Sequence, residues 1–272
     1  MNTPTENIDA LARIIVGMDR VAVAVSGGVD SLTLATLVHG QIPNRVEMFH
    51  AVSPAVPADA TARVRALAKQ QGWVLNVIDA GEFDDADYRQ NPLNRCFYCK
   101  TNLYGAIAPR THARILSGTN LDDLGEYRPG LEAAKMHSVR HPFVEAGVDK
   151  ASVRLIARHF DLGHIAELPA APCLSSRIET GIAIDPAMLA LVDKTEKMVG
   201  TRLRPKTVRC RVRAGGVVVE LDETSLAATG PADRDELSDR ISALFSDGGF
   251  DYRVSFAPYR VGSAFVQPIR MM

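Results

Sequence analysis

The sequence predicts an α/β fold in which a doubly wound parallel sheet is followed by a small C-terminal α+β domain. Short apolar runs alternate with helical stretches from residue 21 to residue 163, and small or polar residues follow several of these runs. Beyond about residue 175 the pattern changes to helix, hairpin, helix and strand. Alternating strands and helices are typical of parallel sheets with helices on both faces. A chain of 272 residues has room for two domains, which we expect at 1–172 and 173–272.

The first domain contains the predicted elements of the parallel sheet. A helix is expected over residues 6–18, with Asn7 or Asp9 offering its cap. Strands are predicted at 21–25, 45–53, 73–80 and 113–120. The predicted helices end near residue 40, cover 57–72, start near Cys99 and cover 150–163. Ligands of such sheets bind at the carboxyl ends of the strands, where residues 26–31 and 117–120 fall.

The second domain has a different order of predicted helices and strands. A helix is predicted over 185–200, a strand pair over 207–222 around two glycines, a helix over 232–249 and a closing strand over 251–260. Helices and strands in this order are typical of a small α+β unit, to which we assign substrate binding and oligomerisation.

The composition argues against binding to nucleic acid or to anionic membranes and against a transmembrane protein. The formal net charge is −1, so no global electrostatic attraction to nucleic acid or to an anionic membrane is expected. No apolar run approaches the ~18 residues of a transmembrane helix, and the N-terminal residues do not resemble a signal peptide. Cytoplasmic residence is therefore expected. In such a compartment the four cysteines serve as ligands, nucleophiles or core residues in preference to disulfides.

A glycine-rich segment, Ser26-Gly27-Gly28-Val29-Asp30-Ser31, lies between the first strand and its helix. Backbone amides beside glycines and the positive end of the following helix form an anion site. An acid within a phosphate-binding loop is explained by a bridging Mg²⁺, which binds carboxylate and phosphate oxygens together. The alternative is a tight turn with a helix cap. The spacing is that of neither the lysine-bearing phosphate loop nor the dinucleotide fingerprint.

Ser-Gly-Gly-x-Asp-Ser after a strand resembles the signature of the PP-loop (N-type) ATP pyrophosphatases, whose fold is the adenine nucleotide alpha hydrolase-like α/β fold. That resemblance implies cleavage of ATP between its α and β phosphates, transfer of AMP to a substrate oxygen and release of pyrophosphate. Members of the superfamily amidate, thiolate or lysidinylate different acceptors, so the other motifs must select among these reactions.

Three further motifs follow in order: "NPLNRCFYCK" at 91–100, "GTNLDDLGEYRPG" at 118–130 and "PAAPCLSSRIETG" at 169–181. Together they resemble the LarE-type ATP-dependent sacrificial sulfur transferases. The resemblance implies adenylation of a carboxylate of pyridinium-3,5-biscarboxylic acid mononucleotide, followed by sulfur insertion, in nickel-pincer cofactor biosynthesis. It also implies a homo-oligomer, and it leaves the sulfur donor unidentified.

The family has two ways of supplying sulfur. In one branch a cysteine at the position of Cys173 attacks the acyl adenylate and loses its own sulfur, leaving dehydroalanine. In the other branch three cysteines hold a [4Fe–4S] cluster that carries an extra sulfide. Cys96, Cys99 and Cys173 resemble the three-cysteine branch, and three ligands leave one iron open. A zinc site completed by His112 or His141 and a cysteine pair without metal are the alternatives.

Further roles come from the resemblance. It implies that Lys100 and Glu126 lie at the reacting carboxylate with Cys173 and that Gly118 and Arg128 lie near the nucleotide. The residues implied to bind pyrophosphate and Mg²⁺ are Ser26, Gly27, Gly28, Asp30 and Ser31. Arg177 is expected to favour a thiolate. Arg209 and Arg211 alternate along a strand and match phosphate-binding arginines of the family, and Glu196 and Glu220 match acidic positions assigned to metal. Cys210 is interpreted as a packing residue.

Other functional classes remain open. A PP-loop enzyme that thiolates tRNA would need a basic face, against which the pI near 6.7 argues. An amidotransferase-like synthase would use ammonia, and its cysteines would be structural. A diverged thiolating enzyme would act on another carboxylate. A nucleotide sensor would bind ATP without turnover and would not need Asp30, Lys100 and three cysteines together.

Overall fold

A computed structural model describes residues 3–125, 128–169 and 172–265 of the chain. The strands are β1 Val21–Ala24, β2 Val46–Ala51, β3 Leu75–Ile78, β4 Arg114–Leu116, β5 Val208–Arg213, β6 Gly216–Leu221 and β7 Val254–Pro258. The α-helices are α1 Pro4–Val16, α2 Val29–Gln41, α3 Ala58–Gln71, α4 Ala86–Arg89, α5 Arg95–Ile107, α6 Gly130–Met136, α7 Pro142–Glu145, α8 Lys150–His159, α9 Pro186–Leu203, α10 Glu223–Ala228 and α11 Pro231–Asp247.

The chain falls into two compact units. The first, called here the sheet unit, comprises residues 1–84 and 96–171, and the second, the C-terminal unit, comprises 85–95 and 172–272. None of the helices within the described residues combines the length and the apolar character that a membrane crossing requires.

The sheet unit is built on four parallel strands in the order β3-β2-β1-β4, which confirms the predicted parallel sheet. The first three strands are added in one direction and β4 is added on the other side of β1. The sheet therefore has its topological switch point between β1 and β4, where the connections leave toward opposite faces. The glycine-rich segment follows β1, so it lies at that switch point.

Apolar side chains cover both faces of this sheet because residues alternate along β1. Val21 and Val23 pack in a cluster with residues of α1, α2, α3 and α8, whereas Ala22 packs with residues of α5 and α6 on the opposite face. Every residue of α2 from Val29 to Val38 except Asp30 is buried, so its first turn is held firmly at the carboxyl edge of the sheet.

Helix α1 begins earlier than predicted. Its cap is Thr3, whose hydroxyl accepts from the Glu6 amide while the Glu6 carboxylate accepts from the Thr3 amide. The prediction of Asn7 or Asp9 as the cap is therefore wrong, because Thr3 and Glu6 have capping-box spacing and Pro4 is suited to the first helical position. The sequence interpretation also missed the short helices α4, α6, α7 and α10.

The C-terminal unit contains the mixed sheet β5-β6-β7, in which β5 pairs antiparallel and β7 pairs parallel with β6. Buried apolar residues of α9 and α11 cover one face of it. Asn91 connects the segment 85–95 to this unit, since its amide nitrogen donates to the carbonyls of Glu179 and Ile182 at 2.8 and 2.9 Å.

Candidate functional site

The connection from β1 to α2 has a shape that requires glycine. Gly27 has a φ of +82°, and a Cβ there would lie 2.7 Å from the carbonyl oxygen of Ala60. Gly28 is the N-cap of α2, and no side chain caps this helix. The first amides of a helix have no intrahelical acceptor, and the helix dipole is positive at this end. The geometry is therefore that of an anion-binding loop.

The two serines of this loop have different roles in its geometry. The Ser31 hydroxyl is buried; it accepts from the Ser26 amide at 3.0 Å and donates to the Gly28 carbonyl at 3.1 Å. Ser26 is exposed, and its hydroxyl lies 3.1 Å from that of Ser31. Ser31 thus closes the loop from inside, while Ser26 faces solvent.

Gly118 brings the end of β4 into contact with the first turn of α2. A Cβ at this position would lie 2.8 Å from the amide nitrogen of Ser31 and 2.9 Å from the carbonyl carbon of Asp30. Both of those atoms belong to the backbone, so a side-chain rotation cannot relieve the contact. The close approach assembles residues from both sides of the switch point into one site.

Asp30 has two partners that come from distant parts of the chain. Its carboxylate forms an ion pair with Lys150 and accepts from the Asn120 amide group at 3.3 Å. Sequence reasoning missed Lys150. A signal existed, because Lys150 opens α8 just after its cap Asp149, and a cation at a helix N-terminus is electrostatically unfavourable.

The acids of the motif at 118–130 organise the local backbone. The Asp123 carboxylate accepts from the backbone amide of Asn120 at 3.0 Å and forms an ion pair of 2.8 Å with Arg128. Asp122 accepts from the Lys150 amide at 3.1 Å. Arg128, expected near the nucleotide, therefore has a carboxylate partner at the edge of the sheet. Glu126 lies outside the described residues.

Lys100 lies on α5, where its ammonium group is 5.9 Å from the centre of the Tyr104 ring. Gly130 adjoins it closely, since a Cβ there would be 3.0 Å from the Lys100 Cγ. Cys96 and Cys99 are half-buried in the first part of the same helix, three residues apart and hence on one face. Their helix begins at Arg95, earlier than predicted.

The predicted metal ligands come from both units of the chain. Among residues 3–125, 128–169 and 172–265, no three His, Cys, Asp or Glu side chains are arranged to hold a metal ion. Cys96 and Cys99 belong to the sheet unit, whereas the half-buried Cys173 belongs to the C-terminal unit.

In the C-terminal unit, Arg177 and Glu196 form a bidentate pair with distances of 2.9 and 3.0 Å. The Arg177 side chain is only 4% exposed. Glu196 also accepts from the Cys210 amide at 2.9 Å, and Arg177 donates to the Cys173 carbonyl at 3.2 Å. Burial acts to lower the pKa of Arg177, but the hydrogen bonds and charge of Glu196 raise it, with a smaller contribution from the neighbouring Cys173. Guanidinium and thiol are thus electrostatic neighbours.

Arg209 and Arg211 lie on the same face of β5, and Cys210 between them is fully buried on the other face, as predicted for a packing residue. Burial raises the pKa of the Cys210 thiol. Arg211 donates to Glu220 at 3.1 Å, and both side chains are at most 5% exposed. Burial and the charge of Arg177 lower the pKa of Arg209.

Glu220 is the centre of a small polar network. Besides Arg211, it accepts from Arg213 at 2.9 Å and from the Ser263 hydroxyl at 2.7 Å. A depression of about 230 Å³ adjoins this network and is lined by Arg213, Val218, Glu220, Ala257, Pro258 and Arg260. Two of the three carboxylates predicted to bind metal, Glu196 and Glu220, are therefore hydrogen-bonded by guanidinium groups.

No protein-family model matches the chain. An uncharacterized protein of the cyanobacterium Synechocystis is 33% identical over 208 residues, which cover 75% of this chain and 77% of that protein. The chain belongs to the same family as this cyanobacterial protein. An uncharacterized protein of the archaeon Methanocaldococcus jannaschii is 24% identical over 75% of the chain and 78% of its own length.

The name of a third relative states the compound that it synthesises. The pyridinium-3,5-bisthiocarboxylic acid mononucleotide synthase of Lactiplantibacillus plantarum is 27% identical over 242 residues, which cover 86% of this chain and 84% of the synthase. This similarity supports the resemblance to the LarE-type sulfur transferases.

Proposed function

We propose that this protein is an ATP-dependent sulfurtransferase of the PP-loop type. It transfers AMP to a substrate carboxylate with release of pyrophosphate, and sulfur then displaces the AMP to give a thiocarboxylate. The observation that carries the proposal is the convergence at the switch point, where Gly118 contacts the first turn of α2 and Lys150 pairs with Asp30. This arrangement has the parts that an ATP triphosphate requires: open amides, a cation and an acid.

The nucleotide end of the reaction follows from those parts. The amides of the first turn of α2 and the ammonium group of Lys150 bind the β and γ phosphates and stabilise the departing pyrophosphate. Mg²⁺ is held in many nucleotide sites by one carboxylate together with phosphate oxygens. Asp30 fits that role, because its oxygens face the same edge of the sheet as the open amides. The ion would neutralise charge on the phosphates.

The substrate is proposed from the name of the Lactiplantibacillus relative, which describes a mononucleotide bearing two thiocarboxylates. A phosphate group on such a substrate suits Arg209, because burial and the neighbouring charge of Arg177 disfavour its guanidinium charge and an anion would relieve that. Arg177 and Arg211 already have carboxylate partners, Glu196 and Glu220. We therefore assign them first to holding Cys173 and the sheet in place.

Cys173 is proposed as the sulfur nucleophile, with Lys100 and Glu126 at the reacting carboxylate. Its thiolate would attack the acyl carbon, forming the C–S bond as the C–O bond to AMP breaks. Removal of the Cα proton then cleaves the Cβ–S bond, which leaves sulfur on the substrate and dehydroalanine in the chain. Arg177 supports this role, since a neighbouring guanidinium favours a thiolate.

The alternative sulfur source is a [4Fe–4S] cluster, which Cys96, Cys99 and Cys173 would hold. The mass of the protein after a single turnover distinguishes the two sulfur sources. Loss of one sulfur from Cys173 supports the sacrificial reaction, and an unchanged mass supports a renewable sulfur carrier such as the cluster. The assignment of 1–172 to ATP and of 173–272 to substrate and oligomerisation stays part of the proposal.

The deciding experiment incubates the protein with ATP, Mg²⁺ and pyridinium-3,5-biscarboxylic acid mononucleotide and measures AMP and pyrophosphate. Asp30→Asn should abolish AMP release without unfolding the protein. Glu132→Gln, which changes an exposed acid on α6 of the same unit, is the matched control and should retain activity. Absence of AMP with the wild-type protein, or undiminished AMP release by Asp30→Asn, would contradict the proposal.

A further inference from the structure

An anion-binding loop works only while its carbonyl oxygens point away from the anion, because negative charges repel each other. The Gly28 carbonyl is held inside the loop by the Ser31 hydroxyl. The Gly27 carbonyl has a partner from outside the loop, since it accepts from Nε of Arg63 on α3 at 3.2 Å. All of these residues belong to the sheet unit. The orientation of the peptide between Gly27 and Gly28 therefore depends on α3.

The peptide between Gly27 and Gly28 is free to rotate unless a partner holds it. A peptide flanked by two glycines can turn over at little steric cost, since neither residue has a Cβ. In a trans peptide the C=O and N–H groups point in opposite directions, so rotation would put a carbonyl oxygen where the amide had been. Among the described residues the Gly28 amide has no acceptor. Arg63 therefore selects the orientation in which this amide is open to an anion.

Helix α3 is a firm support for this contact. Its side chains Val64 and Leu67 are buried in the apolar cluster that includes residues of β1. Its first turn also contacts the loop, because a Cβ at Gly27 would lie 2.7 Å from the Ala60 carbonyl oxygen. The Arg63 guanidinium thus extends from a fixed helix over a short distance to a loop that the same helix touches.

A second path of hydrogen bonds joins α3 to the start of the loop. Nδ1 of His50 is 2.8 Å from the Val25 carbonyl oxygen, and Nε2 is 2.9 Å from the Thr61 hydroxyl of α3. The carbonyl can only accept, so Nδ1 donates to it, and Nε2 of the neutral ring accepts from Thr61. Helix α3 therefore holds two peptide groups, one through His50 and one through Arg63. Because His50 is fully buried and Arg63 only half-buried, substitution of Arg63 tests this support with less damage to the core.

We propose that Arg63 is a positioning residue for the pyrophosphate part of ATP, an inference that rests on the proposed function. Its Nε holds the Gly27 carbonyl, and the Gly28 amide then donates to the phosphate oxygens that become pyrophosphate. Arg63 acts through the loop and is not assigned a contact with the nucleotide. Without its hydrogen bond, rotated loops are populated and only the remaining fraction binds the anion. The contact therefore contributes to the affinity for the β and γ phosphates and not to the affinity for adenosine.

The test compares pyrophosphate with AMP, which lacks the β and γ phosphates. Calorimetry in the presence of Mg²⁺ measures the Kd of each for the full chain. Arg63→Met should weaken pyrophosphate binding roughly 10- to 100-fold, the equilibrium factor of a hydrogen bond from a charged donor, and change AMP binding less than about twofold. Arg63→Lys restores a charged donor and should recover part of the loss. Arg65→Met removes an exposed arginine of the same helix and should leave both affinities unchanged.

Unchanged pyrophosphate binding in Arg63→Met would overturn the proposal. Equal loss of pyrophosphate and AMP binding, or no recovery in Arg63→Lys, would overturn it in favour of a structural role. NMR of the wild-type protein tests the proposal even where Arg63→Met does not fold. The Gly28 amide resonance must shift on saturation with pyrophosphate, and an unmoved resonance would overturn the proposal. A wild-type protein that binds neither ATP nor pyrophosphate and releases no AMP refutes the proposed function itself, an outcome distinct from loss in the variant alone.

Discussion

Replacing Gly118 with alanine tests the close approach of β4 to α2. The added Cβ would lie 2.8 Å from the Ser31 amide nitrogen, where ordinary contact begins near 3.4 Å. The two backbone segments must therefore separate by about 0.6 Å. Overpacking of this kind costs about 1–3 kcal/mol, which corresponds to a fall in Tm of roughly 2–10 °C in a protein of this size.

The same displacement moves the amides that we propose to bind the triphosphate. Misplacement of a positioning group by up to 1 Å can reduce turnover ~100-fold, so we expect Gly118→Ala to reduce AMP release by roughly 10- to 100-fold. Thermal unfolding and a pyrophosphate assay measure the two effects on the same sample.

Gly105→Ala is the matched control for this substitution. Gly105 is exposed on α5, and a Cβ there would meet only the His137 ring at 3.9 Å. Alanine in a helix interior stabilises by about 0.5–1 kcal/mol relative to glycine, so the control should raise Tm slightly and leave AMP release unchanged. A Gly118→Ala protein with the wild-type Tm and AMP release would refute the reasoning about the contact.

Three further substitutions test other contacts. Lys150→Met should reduce AMP release by at least tenfold because it removes the cation that pairs with Asp30. Lys150→Arg should recover part of that activity. Equal activity of Lys150→Met and the wild-type protein would contradict a role for the ammonium group. Arg211→Met removes one partner of the buried Glu220 and should lower the free energy of unfolding by about 3 kcal/mol in urea titrations. The double variant Arg211→Met with Glu220→Leu should lose less free energy of unfolding. An equal or larger loss in the double variant would argue against a stabilising role of the pair. Burial lowers the pKa of His50, so its contribution to stability is present above its unfolded pKa of about 6.5 and is lost as the pH falls toward the folded value. His50→Gln should therefore flatten the fall in unfolding free energy between about pH 6.5 and 5, and an unchanged slope would count against this origin.

Local patterns in the sequence were sufficient for the parallel sheet and its glycine-rich loop. The strand at 21–25 and the helix that follows differ in apolar periodicity, and the glycines between them identify the turn. The structure adds the reason for Gly27, whose positive φ and contact with Ala60 exclude a side chain. Strand ends were less predictable, since β4 covers only Arg114–Leu116 whereas a strand was predicted over 113–120.

The partners of charged side chains could not be predicted from local sequence patterns. Arg209 and Arg211 alternate along one strand, and the sequence pattern does not distinguish them. In the structure Arg211 is paired with Glu220, whereas Arg209 lies over the Tyr259 ring. That difference depends on which strands pair and in which register. A one-residue change of register would move every side chain of β5 to the other face.

The sequence by itself determined the alternation of strands and helices and the position of the glycine-rich loop at 26–31, because each depends on residues adjacent in the chain. The resemblance of the motif at 169–181 made Cys173 the candidate nucleophile. Only the tertiary structure decided that Asp30 meets Lys150, that Gly118 contacts Ser31 and that His141 stands beside Ser117. These contacts join residues separated by 24 to 120 positions. They arise because parallel strands bring their carboxyl ends to one edge, whatever the length of chain between them.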